Sequence, residues 1–426
     1  MLMGIMVLII VLLAVIGVPM SFSVLAGSVW YFLASGMPET MMMQRLIMAV
    51  GDSFSMLAIP FFMLAGTIMN AGGVATRIFD FCNTLVGHIP GGLGHVNVFC
   101  SVIFAGMSGS ALADTGGIGA IELKAMKDAG FDDDFSAAIT GASSCLGPII
   151  PPSTGMVLYG MMAEESVGRL FIAGIIPGAI MAFAMCMMVY FTAKKRHYPV
   201  NPKVAWRERG RAFVRAIPCL LSPVILLSGI LLGIFSATEA SVVCCVYSMF
   251  LGIFVYKELD LKGLFNVFLD TLKSSGMVMT LVTFSMLLAT ILNYQQIPQA
   301  MAAFAVAHIT SKYGIVLCCM ALIIIAGMFI DVTPAMLILI PIMLPVIRSY
   351  GINAISFGVG STLLFSQGLL TPPVGSILYV LSDYTHLPIT KISKAVLPYI
   401  ILFMCLAFCF ICFAPICNFL PNLVAG

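Results

Sequence analysis

Two stretches half a chain apart read almost alike. Residues 61–70 (FFMLAGTIMN) match residues 284–293 (FSMLLATILN) at six of ten positions, an offset of 223. Ala105-Gly106-Met107 recurs as Ala326-Gly327-Met328, and Gly147-Pro148 with Pro151-Pro152 recurs as Gly368 with Pro372-Pro373, both at an offset of 221. Pro177 and Pro398 share that offset. Four matches in one order mean a duplicated unit, so whatever one half folds into, the other must fold into as well. Each half also breaks at the same places, which points to a transporter whose site lies where the repeats meet.

The solvent of that fold follows from composition. Charged residues make up 9% of the 426, hydrophobic residues 61%, and the mean hydropathy is +1.10. A soluble domain carries about 25% charged residues, so a soluble reading is excluded and a multi-pass protein in a lipid bilayer is expected. A net charge of +2 gives no reason to expect a nucleic-acid partner. The 13 cysteines fall mostly in apolar runs, the CxxC of Cys409 and Cys412 included, and read as small hydrophobes. His88, His95, His308 and His386 show no metal-ligand spacing. Residues 1–16 lack a basic leader and a small-residue cleavage site, so they read as a retained span.

Apolar runs place about ten spans: 1–16, 18–34, 54–70, 136–162 and 173–193, then 217–235, 238–256, 274–293, 356–381 and 395–421, with 1–34 open to one bent helix instead. A hairpin pair falls within 92–127 and another within 314–347. The stretches 38–53, 74–90, 164–172, 257–273 and 385–394 mix charges with apolar residues and suit interfacial arm helices. Residues 1–193 form the first repeat, with scaffold helices in 1–70 and 173–193 and transport elements in 92–162. Residues 194–216 read as a basic cytoplasmic linker, and 217–426 as the second repeat, with transport elements in 314–381. With that linker inside and both hairpins re-entrant, sixteen of twenty Lys and Arg residues lie in the cytoplasm; only Arg45, Arg169, Lys312 and Arg348 lie outside. Five spans per half, an odd number, then make the repeats inverted, with the first hairpin facing the cytoplasm and the second the exterior.

Four polar segments interrupt the apolar runs: 106–117, 141–154, 327–334 and 366–376. Glycines and paired prolines cannot continue a helix there, and freed backbone groups cannot face lipid. Free carbonyls with Ser and Thr hydroxyls are hard ligands suited to Na⁺, and the helix starts beyond each break offer positive ends to an anion. Asp331 lies in a strongly apolar run and is expected to coordinate an ion. Asp114 serves either the site or as a cap of its hairpin's second helix. Glu239 lies at a span boundary and reads as structural.

Gly87-His88-Ile89-Pro90-Gly91-Gly92-Leu93-Gly94-His95-Val96-Asn97-Val98, residues 104–114 (FAGMSGSALAD), Pro151-Pro152-Ser153, Thr238-Glu239-Ala240 and residues 371–375 (TPPVG) carry a resemblance over nearly the whole chain. The chain resembles the large membrane subunit of tripartite ATP-independent periplasmic (TRAP) transporters, in the wider ion transporter superfamily. It departs at Thr115-Gly116-Gly117-Ile118-Gly119, where many relatives carry Ala. The resemblance implies a bacterial inner-membrane protein that imports a small carboxylate of the sialic acid or C4-dicarboxylate class. It implies coupling to two or more Na⁺ ions, an elevator mechanism and no organic cofactor. The implied partners are a periplasmic substrate-binding protein and a small four-helix membrane subunit, expected as a separate chain because 426 residues leave no room for it. Carried over by motif, Ser108, Ser110, Gly147, Ile150 and Pro152 would serve one Na⁺, and Gly327, Asp331, Gly368, Thr371 and Pro373 another. Ser108, Gly109, Ser110, Asp114, Ser153, Thr154, Thr333, Val374 and Gly375 would face the substrate. The competing classes are a stand-alone Na⁺/anion symporter, a membrane-embedded enzyme and an ion channel. The enzyme lacks a catalytic cluster and the channel a ring of pore-lining charge, so a non-enzymatic transporter is expected.

Overall fold

A computed structural model describes residues 2–51, 54–200 and 203–425, and among these every regular element is a helix. The chain opens with α1 (Leu2–Val15) and α2 (Met20–Ser35). Gly17, at φ +91°, and Pro19 separate them, so the first 34 residues hold two helices rather than one bent one. Then come α3 (Glu39–Gly51), a 3-10 turn at Phe54–Leu57, α4 (Ala58–Ala71) and α5 (Val74–Val86). The first hairpin is α6 (Gly92–Ser108), α7 (Ala111–Gly116) and α8 (Ile118–Asp128). The broken helix α9 (Asp133–Ser144) and α10 (Thr154–Ala163) follows, then α11 (Val167–Arg196). The second half runs through α12 (Trp206–Leu231), α13 (Ala237–Phe250, prolonged by a π turn at Leu251–Val255), α14 (Leu261–Tyr294) and α15 (Ile297–His308). Its hairpin is α16 (Lys312–Phe329) and α17 (Val332–Ser349), followed by the broken pair α18 (Ala354–Gly368) and α19 (Ser376–Thr385), α20 (Ile389–Cys412) and α21 (Ala414–Ala425).

Eight described helices are long and apolar enough to cross a membrane, and six of them fall on the ten expected spans, because α1, α2 and the pieces of both broken helices are individually short. Each arm of the second hairpin is 18 residues and meets that length by itself. The amphipathic stretches 38–53 and 74–90 form separate helices, but 164–172, 257–273 and 385–394 do not. They run without a break into α11, α14 and α20, since no proline or paired glycine stands between arm and span. The expected linker at 194–216 is likewise shorter, for α11 continues to Arg196 and α12 begins at Trp206. Helix α15 carried no sequence expectation, and α21 begins inside the expected span 395–421, which is divided in two. Pro298 in the first turn starts α15, and Phe413 parts α20 from α21.

Packing draws the elements into two groups. Helix α13 lies along α4, and α14 lies against α2, α3 and α4. A separate apolar cluster, with Met6, Tyr31, Phe32 and Leu287 at its centre, ties α1 to α3 onto the end of α14. The main core holds the hairpins and broken helices together: α18 packs on α16 and α20, α9 on α6 and α20, and α10 on α17. Helix α11, which holds 173–193, lies mainly against α6, α18 and α21. Among the described residues, ion pairs join only segments assigned to one side by the Lys/Arg distribution. Arg196 bonds Asp132 at 2.9 Å and Asp134 at 3.0 Å, and Arg77 bonds Glu258 at 2.7 Å. Glu239 is structural as expected, forming a capping box with Ser236 at the start of α13.

Candidate functional site

Each hairpin tip is seated on a broken helix. In the first half α6 stops at Gly109, whose φ of +60° suits glycine. A Cβ there would stand 2.4 Å from the Pro152 carbonyl oxygen, so the tip and the break touch backbone to backbone. Gly147 makes a similar approach, its would-be Cβ lying 3.1 Å from the Ser110 carbonyl carbon. The Thr154 hydroxyl donates to Gly109 O at 3.2 Å. Ser110 caps α7, and Ser153 caps α10 by accepting from Met156 N at 3.1 Å. The Ser108 hydroxyl is buried with no hydrogen-bond partner. Ser108, Ser110, Gly147 and Pro152 are thus brought together as the sequence suggests. Ile150 turns its side chain onto Gly178 of α11, which leaves only its backbone to serve an ion.

The second half repeats the seat with different atoms. A Cβ on Gly368 would lie 2.8 Å from Gly327 Cα, so the two glycines let α16 and α18 meet at their backbones. Val374 N donates to Met328 O at 3.2 Å. The Thr371 hydroxyl donates to Gln367 O at 2.9 Å, keeping its lone pairs free. The Pro151–Pro152 and Pro372–Pro373 bonds are both cis, and Pro373 is exposed beyond its break. Asp331 begins α17 and accepts a hydrogen bond from the Ser376 hydroxyl at 2.9 Å. It is exposed, not sealed in the interior, because it opens onto the cavities beside the tip. One residue the sequence reading passed over is Gln367, whose buried amide atoms have no partner.

Between the tips lies a cavity of about 200 Å³. Ser110, Ala111 and Leu112 line it from the first hairpin, and Asp331, Val332 and Thr333 from the second; Thr154 and Gly155 come from the first break. These are the first residues of α7, α10 and α17, so three helix starts meet at one space and no Lys or Arg is among its lining residues. Of the expected substrate residues, Ser110, Thr154 and Thr333 line it. Gly109 and Ser153 lie one position before lining residues in the chain, and Ser108 two. Val374 lines instead a cavity of about 620 Å³ that separates the second tip from α1 and α2, and Gly375, at φ +42°, is buried at the start of α19. Asp114 is not the cap that was one of its two expected roles. Ser110 is the cap, and Asp114, 1% exposed, lies outside the cavity lining with Ser101 Oγ donating to its Oδ2 at 2.8 Å.

Known proteins similar in sequence to this chain are transporters. The chain is 39% identical over 96% of its length to the sialic acid TRAP transporter permease SiaT of Haemophilus influenzae, of which it spans 66%. It is 38% identical to the sialic acid TRAP transporter large permease SiaM of Vibrio cholerae, with 96% of each chain covered. The C4-dicarboxylate TRAP transporter large permease of Pseudomonas aeruginosa is 37% identical over 83% of both. The crystal structure of the Alcanivorax borkumensis YdaH transporter superposes with a TM-score of 0.64 over 87% of each chain, at 14% identity, a likeness of fold alone. The profile of the DctM component of tripartite ATP-independent periplasmic transporters matches residues 6–416. By that match and by its similarity to the large permeases, the chain belongs to the DctM component family of tripartite ATP-independent periplasmic transporters.

Proposed function

We propose that this protein is the Na⁺-coupled large permease through which a small carboxylate enters the cell, with sialic acid the first candidate and a C4-dicarboxylate the second. The relatives whose printed names give sialic acid are the 39% and 38% identical ones, and a C4-dicarboxylate relative stands at 37%. A soluble periplasmic protein delivers the acid and a separate small membrane subunit completes the permease in the bacterial inner membrane. The two halves are inverted repeats with re-entrant hairpins, and the hairpin and broken-helix group moves as an elevator against α1–α4, α13 and α14.

The observation that carries this reading is the cavity between the tips. Three helix starts with Ser110, Thr154 and Thr333 hydroxyls can hold a carboxylate without a basic side chain. Asp331 lines the same cavity and would repel that carboxylate. A cation between them removes the repulsion, which ties binding of the acid to binding of Na⁺. The tip carbonyls, the free Ser108 hydroxyl and Thr371 are the oxygens to hold such ions. Uptake into proteoliposomes holding both membrane subunits, supplied with the cognate soluble protein and labelled acids, tests this. Replacing external Na⁺ by K⁺ should abolish uptake. Full uptake driven by a proton gradient without Na⁺ would overturn the coupling.

A further inference from the structure

A separate cavity of about 760 Å³ lies where α5, α12 and residues 255–258, at the end of the π turn, come together. Three arginines line it, Arg77, Arg211 and Arg215, and three acids, Asp80, Glu208 and Glu258. Two of the six satisfy each other. Arg77 bonds Glu258 at 2.7 Å, donates to Gly73 O at 2.7 Å and lies 4.0 Å over the Tyr256 ring, which fixes one wall. The other four are open. Among the described residues Arg211, Arg215, Asp80 and Glu208 form no ion pair. Asp80 feels the charge of Arg215 across the cavity without closing on it.

The cavity lies at a membrane boundary. Helix α12, and α13 with its π turn, are each long and apolar enough to cross, and the cavity opens at the start of one and the end of the other. Apolar side chains lead away from it along α12. Val214 and Pro218 line it, and Leu221 follows on the same side of the helix, with Val214 64% and Leu221 42% exposed. Charged groups at the boundary above an exposed apolar track match the profile of a phospholipid. The charge count narrows the headgroup. Two open cations and two open anions sum to zero, so a purely anionic headgroup would meet Asp80 and Glu208. A headgroup with both charges satisfies all four. Its phosphate takes charge-assisted bonds from Arg211 and Arg215. A primary ammonium has three N–H donors for the two carboxylates, whereas a quaternary one has none.

We infer that this cavity binds the headgroup of one phosphatidylethanolamine molecule, with its phosphate on Arg211 and Arg215 and its ammonium on Asp80 and Glu208. An acyl chain then follows Val214, Pro218 and Leu221 along α12. The site shares no residue with the cavity between the tips and does not depend on what that cavity carries. The lipid bridges α12 to α5, the helix that leads into the first hairpin, and so stabilises the packing of the two.

Thermal unfolding of the purified, delipidated full-length chain in mixed micelles tests the inference, with one phospholipid titrated at a time. A ligand that binds only the folded state raises the midpoint. Phosphatidylethanolamine should do so at a lower mole fraction than phosphatidylcholine or phosphatidylglycerol. Arg211→Gln combined with Arg215→Gln should raise its half-saturating mole fraction roughly tenfold or more, the size of a lost contact to a charge. Asp80→Asn combined with Glu208→Gln leaves the two arginines, so the preference should pass to the anionic phosphatidylglycerol. If a double variant fails to fold, Arg215→Gln and Asp80→Asn, each changing one exposed side chain, carry the same test. Equal responses to the three lipids, or wild-type selectivity in every variant that folds, would overturn the inference, since lipid would then act only as solvent. An equal response to chain-free glycerophosphoethanolamine would overturn it too, because the ligand would then be a soluble compound.

Discussion

At the scale of single residues, the site depends on how closely backbones approach and on where one carboxylate points. Gly368→Ala would place a methyl 2.8 Å from Gly327 Cα, where only a backbone shift can relieve it. The second tip should lift from its seat, and uptake should fall at least tenfold while the protein still inserts, measured by transport against surface expression. Asp331→Ala should weaken the dependence of uptake on Na⁺ and lower its maximum, because it removes both a ligand of the cation and the repulsion that the cation relieves. An unchanged Na⁺ response in an uptake titration would remove Asp331 from the coupling site. The sequence marked both residues, since a glycine before a Pro-Pro break and an aspartate in an apolar run stand out locally. It did not mark Glu122, which sits with Lys124, Lys127 and Asp128 in a segment that reads as a solvated face. Its burial comes from α5, α6 and α9, and no local pattern encodes contacts made so far along the chain. Asp114 was noticed but its partner was not, for the same reason: Ser101 lies on the other arm of the hairpin.

At the scale of elements, helices and breaks were legible where prolines and glycines set them, and continuity was not. Residues 257–273 carry charges and look separable from the span that follows, yet α14 runs unbroken for 34 residues because nothing in it stops a helix. Its counterpart in the first half is divided into α3 and α4. The hairpins differ in the same sense: Gly116-Gly117 divides α7 from α8, whereas α17 is one helix despite Pro341 and Pro345. Two elements allow quantitative checks. Asn353 caps α18, accepting from Ser356 N at 3.0 Å and from Asn418 Nδ2 at 3.1 Å. Asn353→Ala should destabilise the protein by roughly 1 kcal/mol, read as a lower thermal midpoint in detergent. At the start of α9, partial burial pushes the Asp134 carboxyl up, but Arg196, the Phe135 N–H and Lys391 together hold it below its ordinary range. A depressed carboxyl contributes stability above its unfolded value near 3.8, and that contribution fades as pH falls through the lower folded value. Asp134→Asn should therefore lose stability at neutral pH and show a shallower acid decline below about pH 4 in thermal unfolding.

At the scale of the whole molecule, the two tips line one space, so they should report on one event. In a background without native cysteines, Ser110→Cys and Thr333→Cys should both be protected from a thiol reagent by Na⁺ with substrate. Protection of one alone would mean that the cavity described here is not the shared site. The architecture also joins the halves in a way their sequence likeness hides: α9 of the first packs on α20 of the second, and α18 of the second on α11 of the first. A nascent chain emerges from its N-terminus, and α9 ends at Ser144 while α20 does not begin until Ile389. For more than half of synthesis the first repeat must therefore wait in the bilayer with this face covered only by lipid or by an insertion factor. Truncation anywhere before residue 389 strands it there, which makes the segment from Ile389 onward decisive for whether the segment up to Ser144 survives quality control.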